Sequence, residues 1–490
     1  MDEATSSRFW LESNRLLVAL VLLAAVLFCL TNLPWHLDDF SQERQALASF
    51  DMVKEGRWLY QQAPREREAT KPPALPWISA GIYGVTRSWD VAWRLPSLAA
   101  AAALCVLLFR AARDRFGRAA AVLGFSAFAF NMLSARLATL VRTDMPLAFV
   151  VFLIGALIWR KIETGEPWTS RDRWRLFALL TLSAFMKGPI AYVFLLPAIA
   201  AYQWRWRSTP QANAWSGWWP WLASVGVFIV WVIGGLLTQP GFYDQVILHE
   251  FLGRFNTAEQ RPHPPYYYVG HLLHKFAPWS ELLLLAAIFD WRNTGAGTWR
   301  EKFSRLPPGV FWLLCWSLCG LVIMSIVPSK RLDRIYPLIA PMCLLVAAQA
   351  AALEKMGKRL LLSRWAALGL TAAFLLTGQY AVSKVYDGYR HHRDALSLFG
   401  REVRRQAAQH HWRFEAVESH DGGMLLYLEK THFVQPDEAA SKWNGGEIDS
   451  LVVRKNDAGD LLPKLSGATV SPIRSDQFGE HPNVYLLITR

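Results

Sequence analysis

Cysteine is scarce in this chain, and where it occurs it cannot build a disulfide framework. The 490 residues include five cysteines, Cys29, Cys105, Cys315, Cys319 and Cys343, all within apolar runs. The polar segments have none, so no cross-linked scaffold stabilises them. Cys315 and Cys319 share a helix face, but a metal site needs further ligands, and buried inert thiols fit them better. Acid is also in deficit: 39 Asp and Glu against 52 Lys and Arg leave a net charge of +13. No small-residue cleavage site follows the first apolar run, 16–33, which therefore reads as a retained span rather than a secretion signal. One half of the chain does not repeat the other.

What is present is apolar length. Hydrophobic residues make up 53% of the chain, although 19% are charged, and the mean hydropathy is +0.15. A soluble surface needs more polar cover than this. Runs at 16–33, 92–109, 119–134, 145–159, 176–203, 218–237, 277–290, 309–327, 335–352 and 365–382 approach the length of a membrane helix. With 176–203 divided in two, they predict about eleven spans.

The excess of basic residues falls in alternate short loops. These are Arg110 to Arg118, Arg160 to Arg175, Arg205 and Arg207, Arg292 to Arg305, and Lys355 to Arg364. Such alternation is the positive-inside pattern, and it argues against nucleic acid as the partner of this charge. It leaves 34–90, 135–144, the turn near 187–189, 238–276, 328–334 and the tail after about 383 on the external face. Many of the 24 tryptophans cluster at span ends, among them Trp204, Trp206, Trp215, Trp218, Trp219 and Trp221, and read as headgroup anchors.

The predicted fold is mainly α, a polytopic membrane helix bundle over 1–383 followed by a small external α/β domain over 384–490. The first external loop is too long for a simple connector. It predicts a helix at 43–58, with Ala46, Phe50 and Val53 at helical spacing, and an apolar interfacial helix at 75–86. In the tail, 393–411 has helical spacing, with Ala395, Leu398, Phe399, Val403 and Ala407 on one face. Strand-like runs follow at Phe414–Val417, Ser450–Val453 and Val484–Ile488. His410 and His411 read as a surface pair beside Trp412.

Candidate chemistry gathers on the external side. Asp38 and Asp39 emerge just past the first span, where one carboxylate can take a proton from an attacking hydroxyl. A close acidic pair also raises one member's pKa toward the operating pH. Taken alone, the pair is better explained as a solvated loop, or a cap for the helix starting near Ser41. Lys71 is held before a double proline, where a cation suits a lipid phosphate, or simply snorkels. Asp144 sits at a membrane edge with Arg142 or Arg136 as an available partner. Lys187, Lys330 and Arg331 add cations, with Tyr336 following. Four of the five external segments before the tail thus carry Lys or Arg at the boundary, against the positive-inside trend, which points to a common anionic ligand. The 238–276 segment adds His249, Arg254, His263 and the run Tyr266, Tyr267 and Tyr268. Aromatic rings can stack on sugars, although at least two of these tyrosines fit an interfacial belt. One carboxylate base and several fixed cations are the minimal kit for moving a sugar off a lipid phosphate, because the departing phosphate's charge needs only electrostatic stabilisation.

Taken in order, these motifs resemble a known family. They are the acidic loop ahead of Glu43-Arg44-Gln45-Ala46; Lys71-Pro72-Pro73 with Trp77; Trp93-Arg94-Leu95-Pro96-Ser97; Arg142-Thr143-Asp144-Met145-Pro146; Lys187-Gly188-Pro189; His249 with Arg254-Phe255; His263-Pro264-Pro265-Tyr266-Tyr267-Tyr268; Pro278-Trp279; and Pro328-Ser329-Lys330-Arg331 with Tyr336-Pro337. Over 34–341 the chain resembles bacterial polyprenyl-phosphate-dependent glycosyltransferases of the GT-C type, relatives of protein O-mannosyltransferases and of the lipid A aminoarabinose transferase. The resemblance implies an inverting transfer from a polyprenyl (undecaprenyl) phosphate sugar to a lipid, protein or glycan acceptor. It places the enzyme in a bacterial inner membrane, with its site facing the periplasm. It implies a first-loop base, here Asp39, Asp38 or, because the family's acids lie nearer the following helix, Glu43. Lys71, Lys187, Lys330, Arg331 and Arg142 become donor-phosphate contacts, and Asp144, His249, Arg254, His263, Tyr267 and Tyr336 become supporting residues. Aminoarabinose transferases carry Glu before the Lys71 position, and Thr70 stands there instead, which weakens that sugar assignment. No cofactor is required by this scheme. Asp38 and Asp39 can hold Mg²⁺ or Mn²⁺, but such ions want more oxygen ligands than the loop offers. The rival class is a transporter or lipid flippase, which places charge near mid-span and shows repeated halves; the polar residues here lie at one face.

Overall fold

The computed structural model describes residues 9–32, 37, 40–63, 67–206, 213–254, 263–293, 306–419, 421–479 and 483–490. Helices occupy every apolar run. They are α1 (Asn14–Asn32), α2 (Phe40–Glu55), α3 (Ala74–Thr86), α4 (Trp89–Phe116), α5 (Arg118–Ala129), α6 (Met132–Leu137), α7 (Asp144–Thr164), α8 (Ser170–Lys187), α9 (Ile190–Arg205) and α10 (Trp219–Thr238). There follow α11 (Tyr267–Lys275), α12 (Trp279–Asn293), α13 (Pro308–Ile326), α14 (Ile339–Lys355) and α15 (Arg359–Arg390). Among the described residues, seven helical stretches are long and apolar enough to cross a membrane, and α5 and α12 are shorter apolar helices.

Local chemistry sets the helix ends. Gly117 at φ 87° allows the chain to turn sharply between α4 and α5. Gly188 at φ 72°, followed by Pro189, splits the run 176–203 into α8 and α9, as its length requires. Thr169 and Asp172 close a reciprocal capping box on α8. The bundle is layered: 72% of the α7 span and 78% of Leu332–Lys355 are buried, against 28% for α1 and for α10. The first two are therefore central, and the last two present most of their apolar surface outward.

Polar contacts sort to two ends. At one end, Arg115 pairs with Glu163 at 3.0 Å, Lys161 with Asp172 at 2.7 Å, and the Trp10 indole donates to Ser363 at 2.7 Å. Apart from Trp10, which precedes α1, these groups lie in or beside the arginine-rich loops. The opposite end gathers Asn32, the 136–144 segment, Lys187 and 327–333. Tryptophan is used more deeply than an anchor role requires. Trp204, Trp218 and Trp219 are exposed, but Trp221 is enclosed, because its N–H is satisfied by Ser216 Oγ at 3.0 Å. Trp312 and Trp316 fill the interface of α13 with α7, where Gly155 leaves room for the Trp316 ring.

The first loop folds as α2, a short hairpin of β1 (Gln62–Ala63) and β2 (Arg67–Glu68), and α3. Ala46 and Phe50 are buried as their spacing predicts, and Val53 is half-buried. The buried Asp51 accepts from Arg57 at 2.9 Å and from the Gln62 amide at 3.0 Å. Burial pushes its pKa up while these contacts pull it down.

The C-terminal segment has α16 (Ala395–His410), β3 (Phe414–Ala416), α17 (Gly422–Leu428), α18 (Pro436–Asn444), β4 (Ser450–Arg454), α19 (Lys455–Leu461), β5 (Thr469–Arg474) and β6 (Tyr485–Thr489). Its four-stranded sheet has the order β3-β4-β6-β5. Strands β3 and β4 run parallel, and the other pairs antiparallel. The three expected strands are present. β5, whose residues are mostly exposed or half-buried, lacked a sequence signal. Leu398 is exposed, contrary to its expected place on the α16 apolar face, because the buried stripe is Ala395, Phe399, Val403 and Ala407 with Leu396 and Gly400 beside it. His410 and His411 are exposed, and the His410 ring stacks on Trp412 at 4.6 Å.

A Cβ on Gly155 would lie 2.2 Å from the Trp316 ring, whereas one on Gly81 would meet nothing within 4 Å. Gly155→Ala is expected to cost about 1–3 kcal/mol by overpacking. Gly81→Ala, at an exposed helical site, is expected to be neutral or mildly stabilising. Thermal unfolding of the two variants in detergent checks the contrast.

Candidate active site

Helix ends bring opposite charges together. Asp144 is the first residue of α7, where the helix N-terminus favours a carboxylate, and Lys187 is the last of α8, where the C-terminus favours a cation. Packing α7 against α8 then joins them: Lys187 Nζ contacts Asp144 Oδ1. Arg142, just ahead of α7, reaches Asp144 Oδ2 through Nε at 3.3 Å and Asp333 Oδ2 through Nη2 at 2.6 Å. Arg331 reaches the same Asp333 oxygen at 3.4 Å. Among the described residues, three cations thus meet two carboxylates. Arg136, the other partner considered for Asp144, is exposed.

Burial grades this network. The Asp144 side chain is 2% exposed, Arg142 7%, Lys187 11% and Asp333 13%, while Arg331 is 48% exposed. Charges this deep persist only when paired. Arg331 forms the open side, where an anion can approach. Beneath Asp144, the enclosed Tyr336 hydroxyl lies 2.9 Å from Ser134 Oγ and 3.5 Å from Met145 Sδ. Tyr336 thus packs beside the start of α7 through Met145, the residue after Asp144. Asp333 is the functional candidate that sequence reasoning missed. The signal available was an acid two residues after Lys330-Arg331 in a basic external segment.

Lys330 is differently used. Its buried ammonium donates to the carbonyls of His263 at 2.9 Å and Val327 at 2.7 Å, and burial lowers its pKa. It joins the 263 segment to the 327–331 turn, and the His263 amide returns a bond to the Pro328 carbonyl at 3.3 Å. The His263 ring is exposed and lies 4.6 Å from the Tyr267 ring, which is 4.2 Å from His271. Tyr266 is exposed and Tyr268 fully buried, so the three tyrosines divide between surface and core.

Of the first-loop candidates, Lys71 and Glu43 lie among the described residues. Lys71 is half-buried at the entry to α3. Further along α3, Trp77 stacks on Phe185 at 5.7 Å, two residues before Lys187, so this helix runs beside the end of α8. Thr70 accepts from Arg44 Nη2 at 3.0 Å, which ties the approach to Lys71 onto α2. Tyr60 fixes the hairpin to α10 through a 2.8 Å bond to the Trp231 carbonyl. Glu43 is half-buried in the first turn of α2, close against Gly423 of α17. Asp38 and Asp39 lie outside the described residues, and of His249 and Arg254 only the backbone is described. Among the described residues, no group of three or more His, Cys, Asp or Glu could hold a metal ion.

The family profile described as dolichyl-phosphate-mannose-protein mannosyltransferase matches residues 70–233. Curated relatives include the undecaprenyl phosphate-alpha-4-amino-4-deoxy-L-arabinose arabinosyl transferase of Photorhabdus laumondii, 29% identical over 33% of this chain and 29% of that protein. A homologue of the same name from Sodalis glossinidius is 28% identical over 66% of this chain. The chain spans 58% of that second relative's length, less than two thirds of either. Among solved structures, ArnT from Cupriavidus metallidurans bound to undecaprenyl phosphate has a TM-score of 0.69 at 16% identity, covering 97% of this chain and 98% of its own. The Archaeoglobus fulgidus oligosaccharyltransferase in the apo form has a TM-score of 0.51 at 12% identity, covering 93% of this chain and 71% of its own. The ArnT match takes in the C-terminal sheet as well as the bundle, beyond the region the motifs span.

Removing Asp144 takes from Lys187 its ion-pair partner, and removing Lys187 leaves the deep Asp144 carboxylate with Arg142 alone among the described residues. Asp144→Asn and Lys187→Met are each expected to destabilise the protein by about 3–5 kcal/mol, with the double variant recovering part of that loss. Arg331→Ala is expected to cost far less, since its head is half in solvent. Unfolding midpoints of the four proteins check the ranking. Motifs, sequence relatives and fold agree that this is a chain of the GT-C glycosyltransferase fold, related in sequence to the undecaprenyl phosphate-aminoarabinose transferases.

Proposed function

We propose that the protein is an inverting glycosyltransferase that moves a sugar from a polyprenyl (undecaprenyl) phosphate to an acceptor hydroxyl at the external face of a bacterial inner membrane. The observation that carries this reading is the buried network Arg142–Asp144–Lys187 with Asp333 and Arg331, set in a fold of this class. Its solvent-facing cation is Arg331, which suits a lipid phosphate. The network, the aromatic wall of Trp77, Phe185 and Trp231, and the first loop belong to one end of the bundle. A transporter would need its charge nearer mid-span.

The acceptor oxygen attacks the anomeric carbon as the carbon–oxygen bond to phosphate breaks, and the stereochemistry inverts. The hydroxyl proton passes to a first-loop carboxylate, Asp39, Asp38 or Glu43. The donor phosphodiester leaves as a polyprenyl phosphate monoester and gains one negative charge. Lys71, Lys187, Arg142 and Arg331 are the cations proposed to stabilise that charge. Asp144 serves them by holding Arg142 and Lys187 in fixed geometry. Lys330 and His263 would act by shaping the neighbouring turn, and Tyr267, His249 and Arg254 complete the supporting set. Asp38 and Asp39 remain the only proposed metal ligands.

Purified protein given a radiolabelled polyprenyl-phosphate sugar tests the reading. Asp38→Asn, Asp39→Asn and Glu43→Gln, assayed singly, should include one variant that loses about 10²–10⁴-fold in turnover. Normal turnover in all three sinks the mechanism. Lys71→Ala should weaken carrier-lipid binding, because a cation at the entry to α3 suits the lipid phosphate.

A further inference from the structure

The C-terminal segment touches the first loop at the residues that flank the acidic pair in sequence. The Leu37 amide, one residue before Asp38, donates to the Tyr427 hydroxyl at 2.8 Å, and both groups are buried. On the other side of the pair, Glu43 packs on Gly423: a Cβ built there would stand 2.9 Å from Glu43 Oε1 and 3.4 Å from its Cδ. Both contacts come from α17.

This short helix is held firmly. Gly400 of α16 lies so close that a Cβ there would come within 2.5 Å of Tyr427 Cβ. Asp421, just ahead of α17, accepts from Tyr485 at 2.7 Å and Asn483 at 2.7 Å, which ties the helix start to β6 and the residues before it. The shared core is apolar: Leu37, Ala46, Leu47, Phe50 and Trp93 pack with Phe399, Met424 and Leu425. Further contacts fix the rim, with Arg401 on Asp90 at 3.0 Å and Thr431 on Glu55 at 2.8 Å.

We infer that α17 is a positioning element for the first-loop carboxylates, with Tyr427 and Gly423 as its working residues. The inference rests on the reading of those acids as the source of the base. Gly423 is not required by the backbone, since it lies inside a helix without positive φ. Alanine would be the better helix former there. Glycine leaves the volume that the Glu43 carboxylate occupies. Tyr427, in turn, fixes the chain at Leu37, so both flanks of the acidic pair are set by one rigid helix rather than by the loop itself.

The test uses the full chain. Gly423→Ala should leave the unfolding midpoint unchanged or raised, while kcat falls by about tenfold to hundredfold at constant donor KM, because the carboxylate is displaced. Shortening the acid, Glu43→Asp in the Gly423→Ala background, should restore part of that loss. Tyr427→Phe should speed hydrogen exchange at the Leu37 amide at least about tenfold, leaving the β4–β6 amides protected; this readout does not depend on turnover. Wild-type turnover in Gly423→Ala overturns the inference, as does a loss that merely follows a lowered midpoint. Unchanged Leu37 exchange in Tyr427→Phe also overturns it. An inert wild-type protein with the expected exchange change would instead sink the glycosyltransferase reading and leave the contact standing.

Discussion

Asp144 depends on two cations delivered by different parts of the chain, and much of this end of the molecule depends on Asp144. A carboxylate this deep is tolerated only because Arg142 and Lys187 share it. Lys187 can reach it only if α8 ends where Gly188 ends it. Arg142 in turn spans to Asp333, which draws the 331–338 turn against the start of α7. The network therefore fixes the relative height of three segments at one surface, and leaves Arg331 as its solvent-facing member.

Around that fixed point, the first loop is built as a folded layer with its own contacts. Tyr60 ties it to α10 by a bond to the Trp231 carbonyl and Trp77 ties it to α8 by stacking on Phe185, while the Trp77 indole donates to Trp58 within the loop. Asp51 closes its hairpin. The α2 helix is enclosed between the bundle and the C-terminal segment, so a loop that would otherwise sample many conformations is held on both sides. Preorganisation of this kind is what an electrostatic mechanism needs, since donors and cations already in place cost no reorganisation during reaction.

Among the site residues, legibility followed the reach of the signal. Asp144, Arg142 and Lys187 were visible because charge at a membrane edge is costly and conspicuous. Their mutual pairing was half visible: Arg142 is two residues from Asp144, but Lys187 is 43 away and meets it only by helix packing. Lys330 looked like a free cation from sequence, and the structure finds it spent on two carbonyls. Asp333 passed unnoticed because a single acid in a basic turn carries no periodic or spacing signature. Tyr427 and Gly423 could not be found at all, since each meets a partner more than 350 residues away.

The sequence by itself determined the helical bundle, the sorting of charge to two ends, and the strand content of the tail apart from β5. These follow from local rules: apolar length against membrane thickness, basic loops against the translocation bias, and residue alternation against backbone period. Tertiary structure decided which tryptophans leave the surface, which lysines are spent on buried partners, and which carboxylate joins the buried network. It also decided that the C-terminal segment presses against the first loop. Burial and pairing are properties of packed surfaces from distant parts of the chain, and no local pattern of residues encodes them.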